Sequence, residues 1–171
     1  MKLLLHACCG PCSIQCVEAL AAEGVQLDLL WYNPNIQPET EYQARLDTFC
    51  KYLSLSSQDT KLEAYFINPE PNFAPLRLCV NKLERCTFCY RQRLEKTALL
   101  AAEKGYTAFT TTLLISPYQN HDLIKQIGEE LASQYRLQFL YRDFRPLFRK
   151  GQNQAREAGY YMQKYCGCGL E

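Results

Sequence analysis

The stretch Lys2-Leu3-Leu4-Leu5-His6-Ala7-Cys8-Cys9-Gly10-Pro11-Cys12 decides the fold. Its apolar run, Lys2–Ala7, reads as a short buried strand. Pro11 opens a helix at the position where a first turn tolerates proline. That helix runs over Pro11–Glu23 and stops at Gly24, and Val25–Tyr32 is a second apolar strand. Outward from this unit the pattern repeats. Asn33-Pro34-Asn35-Ile36-Gln37-Pro38 is a turn-rich loop, and Glu39–Leu53 has helical periodicity. Glu63–Ile67 is a third strand, running into a Pro-rich loop over Asn68–Pro75. Helix formers dominate Cys86–Lys104, with Gly105 as the stop, and Ala108–Leu114 is a Thr-rich fourth strand. After the loop Ser116-Pro117-Tyr118-Gln119-Asn120 comes an amphipathic helix over His121–Gln134. Leu137–Tyr141 is a fifth strand, Arg142–Gly151 a loop, and Gln152–Gly159 a last helix before an irregular tail. Strands alternating with helices through short loops predict one α/β domain with a parallel sheet, spanning residues 1–171. Working sites in such sheets lie beyond the carboxyl ends of the strands. The first cysteines and the Asn33-Pro34-Asn35 loop both fall there.

A chain of 171 residues is long enough to bury a core, and 47% hydrophobic with 22% charged residues excludes a disordered chain. No stretch approaches the roughly 20 apolar residues that span a bilayer. Cys8-Cys9-Gly10-Pro11 interrupts the N-terminal apolar run before a signal segment forms, so the expectation is a cytoplasmic protein with no membrane partner. In that compartment thiols stay reduced, and clustered cysteines bind metal or do chemistry more often than they form disulfides.

Seven of the ten cysteines lie in three clusters: Cys8, Cys9 and Cys12; Cys86 and Cys89; Cys166 and Cys168. Converged, they would form a sulfur-rich pocket suited to iron–sulfur clusters, zinc or copper(I) rather than hard cations. Three thiols within five residues at a strand-to-helix turn are too many to be core packing alone. Cys12 falls in the first helical turn, where free N–H groups and the helix dipole favour a thiolate. Cys86-x-x-Cys89 is placed at the opening of a helix, where it is a zinc half-site or a redox dithiol when read alone. Helical spacing sets Cys86, Cys89, Arg93 and Thr97 on one face, with Arg93 available to an anionic ligand or a phosphate. Four thiolates fill one cubane cluster or one zinc, and seven leave a surplus of three. The surplus implies a second metal with an open position or a reactive thiol. Cys16 and Cys50 are read as core, and Cys79 stays undecided.

Of the two histidines, His6 is read as structural and His121 as a cap or substrate contact. Asp143, between Arg142 and Arg145, is read as a surface ion pair with a metal-ligand role as its alternative. Charge is uneven. Residues 1–70 hold four Lys/Arg against nine Asp/Glu, and residues 71–171 hold fifteen against nine. The basic runs around Arg85–Arg93 and Arg142–Arg149 neighbour the later cysteines and suit a nucleic-acid partner, although charge alone favours solvated faces of two helices. Several tyrosines, Tyr90 and Tyr118 among them, are available for base stacking.

Taken in order, these motifs resemble the QueH-type epoxyqueuosine reductases. The residues that carry the likeness are His6-Ala7-Cys8-Cys9-Gly10-Pro11-Cys12-Ser13, Asn33-Pro34-Asn35-Ile36-Gln37-Pro38 with Glu41-Tyr42, and Arg85-Cys86-x-x-Cys89-Tyr90-x-x-Arg93-Leu94. Thr110-Thr111-Thr112-Leu113, Ser116-Pro117-Tyr118-Gln119, Asp143-Phe144-Arg145 and Tyr165-Cys166-Gly167-Cys168 complete it. The resemblance runs from Leu3 to Cys168. It implies a Rossmann-like domain of the adenine-nucleotide-hydrolase (HUP) type, a [4Fe-4S] cluster and an adjacent mononuclear iron. It further implies reductive removal, without cobalamin, of the epoxide oxygen of epoxyqueuosine at the wobble position of tRNA, with electrons from an external donor. On this reading the seven clustered cysteines hold the metals and Asp143 is an eighth ligand. Asn33, Asn35, Tyr90, Arg93, Tyr118 and Arg145 meet the substrate or the tRNA. Neither G-x-x-x-x-G-K-[ST] nor G-x-G-x-x-G is present, so the cysteine turn stands where ATP-binding relatives of the fold carry a phosphate loop. Three rival readings remain: a non-catalytic zinc-thiolate protein that binds RNA, a tRNA sulfurtransferase, which would need ATP, and a dithiol oxidoreductase.

Overall fold

Leu3, Leu4 and Leu5 are all fully buried, although successive residues of a strand point to opposite faces. A strand apolar on both faces belongs at the centre of a parallel sheet covered by helices, and that is where it lies. The computed structural model describes residues 1–56, 61–70 and 75–169. Along the chain come β1 (Lys2–His6), α1 (Gly10–Ala22), β2 (Gln26–Trp31), α2 (Glu39–Ser56) and β3 (Ala64–Phe66). Then follow α3 (Lys82–Glu103), β4 (Ala108–Thr111), α4 (His121–Tyr135), β5 (Gln138–Phe139) and α5 (Phe148–Glu157). The sheet order is β3-β2-β1-β4-β5 and every pairing is parallel, the Rossmann-like arrangement expected. Chain order reverses between β1 and β4. In open α/β sheets the crevice at such a reversal is where ligands bind.

Several boundaries differ from the sequence reading. β4 stops at Thr111 instead of Leu114, because the chain tightens into a 3-10 turn over Thr112–Ile115 with the Thr111 hydroxyl accepting from the Leu113 N–H at 3.2 Å. β5 is reduced to two residues at the sheet edge. α5 begins at Phe148, four residues earlier than expected. The larger correction concerns α3. Asn81 caps it by accepting from the Glu84 N–H at 2.9 Å, and Glu84 accepts from the Val80 N–H at 2.7 Å. This is a variant of the N-terminal capping box, with Glu84 reaching the N–H one residue ahead of the cap. It starts the helix at Lys82, so Cys86 and Cys89 lie beyond its first turn. Of the expected Pro-rich loop, residues 71–74 lie outside the described residues.

α1 crosses α2 closely at Gly10, where a Cβ would stand 3.2 Å from both Thr48 Cγ2 and the Thr48 carbonyl oxygen. Trp31 stacks on Phe49 with ring centroids 5.1 Å apart, seating α2 against the sheet. Cys16 is fully buried, as expected. Cys50 is exposed, a correction. The inward stripe of α2 is Arg45, Thr48, Phe49 and Tyr52, at i, i+3, i+4 and i+7, and this spacing leaves Cys50 off the buried face. No helix of the described residues is long and apolar enough to cross a membrane.

Candidate metal centre

The turn after β1 brings the Sγ atoms of Cys8, Cys9 and Cys12 within 4.8 Å of one another, an arrangement able to hold a metal ion. Local bonding accounts for it. Cys9 is the N-cap of α1, its sulfur accepting from the Cys12 N–H at 3.3 Å, and its carbonyl accepts from the Ser13 hydroxyl at 2.7 Å. From the far side of the switch point, Thr112 accepts from the Cys8 N–H at 2.9 Å and donates to Cys8 Sγ at 3.1 Å. Hydrogen bonds from Cys12 and then Cys9, aided by Thr112, outweigh burial and hold the Cys8 thiol well below its usual range. Bonds to Cys8 and Cys9, then burial, push Cys12 well up. For Cys9 the bond with Cys12 works downward, but the bond with Cys8, burial and the Cys8 charge outweigh it, so this thiol also rises. Ionisation is therefore favoured at Cys8 over Cys9 and Cys12, and a soft cation bound by all three sulfurs would displace thiol protons.

Directly behind the triad, His6 ties three strands together. Its Nε2 lies 3.0 Å from the Tyr32 carbonyl and 3.1 Å from Asn33 Oδ1, and its Nδ1 lies 2.9 Å from the Thr111 hydroxyl. Both partners of Nε2 are acceptors, since Asn33 Nδ2 donates elsewhere, to the Ala7 carbonyl at 2.9 Å. The proton therefore sits on Nε2. Burial, then the charge of Arg93, lowers the His6 pKa to about 4 and keeps the ring neutral.

The other four clustered thiols line one cavity of ≈ 950 Å³. Cys86 and Cys89 come from α3, and burial raises both thiols. Sitting past the first turn, they lack the exposed N–H groups that would favour their thiolates. Arg93, one turn on, donates through Nη2 to Cys89 Sγ at 3.0 Å and through Nε to the Cys89 carbonyl at 3.3 Å. It is 5% exposed. Burial works against its charge, but Cys89 and Cys8 outweigh this and raise its pKa. A buried cation thus sits where it feels both the front triad and the α3 pair. From the tail, Cys166 and Cys168 bring their sulfurs 3.7 Å apart without a disulfide. Two thiolates on one tetrahedral ion with bonds of about 2.3 Å stand about 3.8 Å apart. The donor set is therefore chemically suited to soft metals: seven reduced thiols, a separation matching shared coordination, and a buried guanidinium to offset their charge.

Against known proteins, the family described as Epoxyqueuosine reductase QueH matches residues 3–170. The chain belongs to that family. It is 32% identical to the epoxyqueuosine reductase QueH of Dehalococcoides mccartyi over 98% of this chain and 90% of the relative. The QueH of Acinetobacter baylyi is 33% identical over 98% of this chain and 78% of the relative, and that of Thermotoga maritima 30% over 97% and 88%.

Within this QueH family member the remaining expected site residues spread over three surroundings. Asn35 and Tyr90 line the cavity, as does Arg93. Asn35 is 3% exposed, and its Oδ1 has no hydrogen-bond partner among the described residues. The Tyr90 hydroxyl donates to Gln119 Oε1 at 2.6 Å and accepts from the Asn120 N–H at 3.1 Å, fastening α3 to the loop before α4. Tyr118 stands at the cavity mouth, 84% exposed. Asn33 is fully buried between His6 and Ala7 behind the triad, and is not among the cavity-lining residues. Asp143 accepts from Arg145 Nε and Nη2 at 2.8 and 2.9 Å, a solvent-facing pair. Those bonds hold the Asp143 carboxyl down to about 2. Neither Asp143 nor Arg145 lines the cavity. His121 leaves helix capping to Asn120, which accepts from the Leu123 N–H at 3.1 Å, and approaches the Ser116 carbonyl at 3.0 Å.

Two residues at the site have no role assigned by sequence reasoning. Thr112 falls within the Thr110-Thr111-Thr112-Leu113 motif but reads as strand interior, and only the end of β4 at Thr111 turns its hydroxyl to Cys8. Arg45 was missed although the signal is present: a charged residue on the apolar stripe of a helix, one turn after Glu41.

Proposed function

We propose that this chain catalyses the reductive removal of the epoxide oxygen of epoxyqueuosine in tRNA, with its seven clustered cysteines holding a [4Fe-4S] cluster and a mononuclear iron. The observation that carries the reading is a thiol triad at the sheet's switch point and four further thiols lining one cavity, with the buried Arg93 feeling the charge of both Cys8 and Cys89, in a chain matched along its length by the QueH family. Seven thiols exceed what one cubane or one zinc takes. When bound, the metals would supply single electrons from an external donor and a Lewis acid for the epoxide oxygen.

The chain's own residues provide the setting. Two electrons and two protons convert the epoxide to an alkene and water, and the cavity confines that exchange beside its four thiols. Asn35 Oδ1, buried and without a partner among the described residues, offers an acceptor that a substrate hydroxyl or N–H would satisfy. Arg93 offsets thiolate charge. Lys82, Arg85 and Lys164 line the same cavity and face the phosphates of an anticodon loop, with Tyr118 exposed at the mouth for a base to stack on. Arg145, oriented by Asp143, is a further phosphate contact, so Asp143 enters this reading as a partner of Arg145 instead of a metal ligand.

The test is anaerobic incubation of iron-reconstituted protein with epoxyqueuosine-containing tRNA and a reductant, followed by nucleoside mass analysis. Conversion to queuosine supports the reading. An unchanged epoxide under conditions where the cluster is reduced defeats it. Colourless protein carrying zinc in place of iron would instead favour the zinc-thiolate alternative.

A further inference from the structure

Residues 158–169 form neither helix nor strand, yet they carry two of the seven clustered thiols. What holds them is a side chain of α2. Arg45 is 3% exposed, and its guanidinium donates through Nη2 to the Tyr165 carbonyl at 2.8 Å and through Nη1 to the Cys166 carbonyl at 3.3 Å. The guanidinium also lies 5.1 Å from the centroid of the Tyr165 ring. Its third edge is fixed by Glu41, which accepts from Nε at 2.8 Å and, on its other oxygen, from the Tyr161 hydroxyl at 2.5 Å. The Gly167 carbonyl accepts from the Gln37 N–H at 2.8 Å, and Tyr165 donates its hydroxyl to the Gln37 carbonyl. Gly167 has φ +126°, and a Cβ there would lie 3.1 Å from Arg45 Nη1 and 3.0 Å from Asn35 Nδ2. The backbone between the two thiols is pressed against this guanidinium.

We propose that Arg45 is a positioning residue: it clamps consecutive carbonyls at the start of Cys166-Gly167-Cys168 and so aims the two tail thiols at Cys86 and Cys89. The proposal rests on the metal-holding reading above for its purpose, though not for its geometry. A planar guanidinium presents donors at fixed angles and can bridge two carbonyls while a third edge meets a carboxylate. A lysine ammonium keeps the charge but lacks that fork. Arg45 touches neither sulfur nor substrate in this scheme. It acts through the backbone it holds.

The experiment uses the full chain and limited trypsin digestion. Lys164, exposed, stands immediately before the clamped segment, and cleavage after it requires the tail to open. Cleavage of a transiently open segment tracks the population of the open form. Losing charge-assisted hydrogen bonds to two carbonyls should raise cleavage after Lys164 by about tenfold or more in Arg45→Met. Cleavage after Arg156, in α5, serves as the control and should stay near the parent, and circular dichroism at the digestion temperature confirms that the variant is folded. Arg45→Lys should fall between the two, and iron release to a chelator should follow the same order. Should Arg45→Met fail to fold, Arg45→Lys alone decides: a tail as protected as the parent's overturns the bridging role. Parent-like cleavage after Lys164 in a folded Arg45→Met likewise overturns the proposal. A parent chain that takes up no iron, while Arg45→Met is nicked faster, removes the metal reading and leaves the clamp standing.

Discussion

The front and tail of this chain each carry clustered thiols, and they are held by opposite means. At the front, Cys8, Cys9 and Cys12 occupy a turn between a central strand and a helix cap, so backbone hydrogen bonds set their positions before any long side chain takes part. At the tail, Cys166 and Cys168 have no regular structure to stand on and depend on Arg45, Glu41 and Gln37 reaching across from the α2 side. A site assembled this way has a rigid half and a detachable half. Damage to the first should register as loss of stability as well as function, and damage to the second as loss of function alone.

The strongest test exchanges paired cysteines. Cys8→Ala with Cys12→Ala, and separately Cys166→Ala with Cys168→Ala, should each lower epoxide reduction by at least about a hundredfold, as loss of metal ligands does at the least. Only the front pair should also lower the urea midpoint, because Cys12 is packed in the core while Cys166 is exposed. Equal stability losses in the two pairs would erase the contrast.

His6→Ala probes the rigid half without touching a thiol. It strips buried partners from Asn33, Thr111 and the Tyr32 carbonyl at once, and should cost about 3 kcal/mol in urea unfolding. Gly10→Ala is milder. Its Cβ meets Thr48 at 3.2 Å, and α1 and α2 must separate slightly, for a loss of about 1–2 kcal/mol measured the same way.

The smallest expected effect sharpens the detachable half. Burial works to raise the Glu41 pKa, but hydrogen bonds from Tyr161 and Arg45 outweigh it and leave the carboxyl below its ordinary value of 4.5. A carboxyl depressed in the folded state stabilises docking fully above the unfolded value and loses that contribution as pH falls through the folded one. Tail docking should therefore hold at neutral pH and weaken as the solution is acidified below about 4.5. Amide resonances of Gln37 and Gly167, followed by NMR down to that range, should shift in the parent. In Glu41→Gln the dependence should be absent, with the tail already loosened at pH 7.

Much of this was legible in the chain itself. Leu3-Leu4-Leu5 could only be an interior strand, Pro11 and Gly24 bounded the helix after it, and alternating elements required a parallel sheet whose first turn carried three thiols. Local rules suffice there because the residues that bond are neighbours in sequence. The capping signal of Asn81 and Glu84 is equally local, but it lies ahead of Cys86, so a helix start read at the cysteines falls four residues late.

Other features had no local signature. That Asn33 faces inward to His6 while Asn35 faces the cavity follows from how two strand ends meet. Cys50 fell outside the core because α2 turns an arginine inward instead. The sequence by itself determined the fold class, the clustering of the thiols and which segments could bear metal, since periodicity and residue chemistry are properties of short stretches. Only the tertiary structure decided which thiols share a cavity, where Arg93 places its charge, and that a helix residue more than a hundred positions away grips the tail. Those are contacts between elements, and their geometry comes into being when the sheet closes around β1.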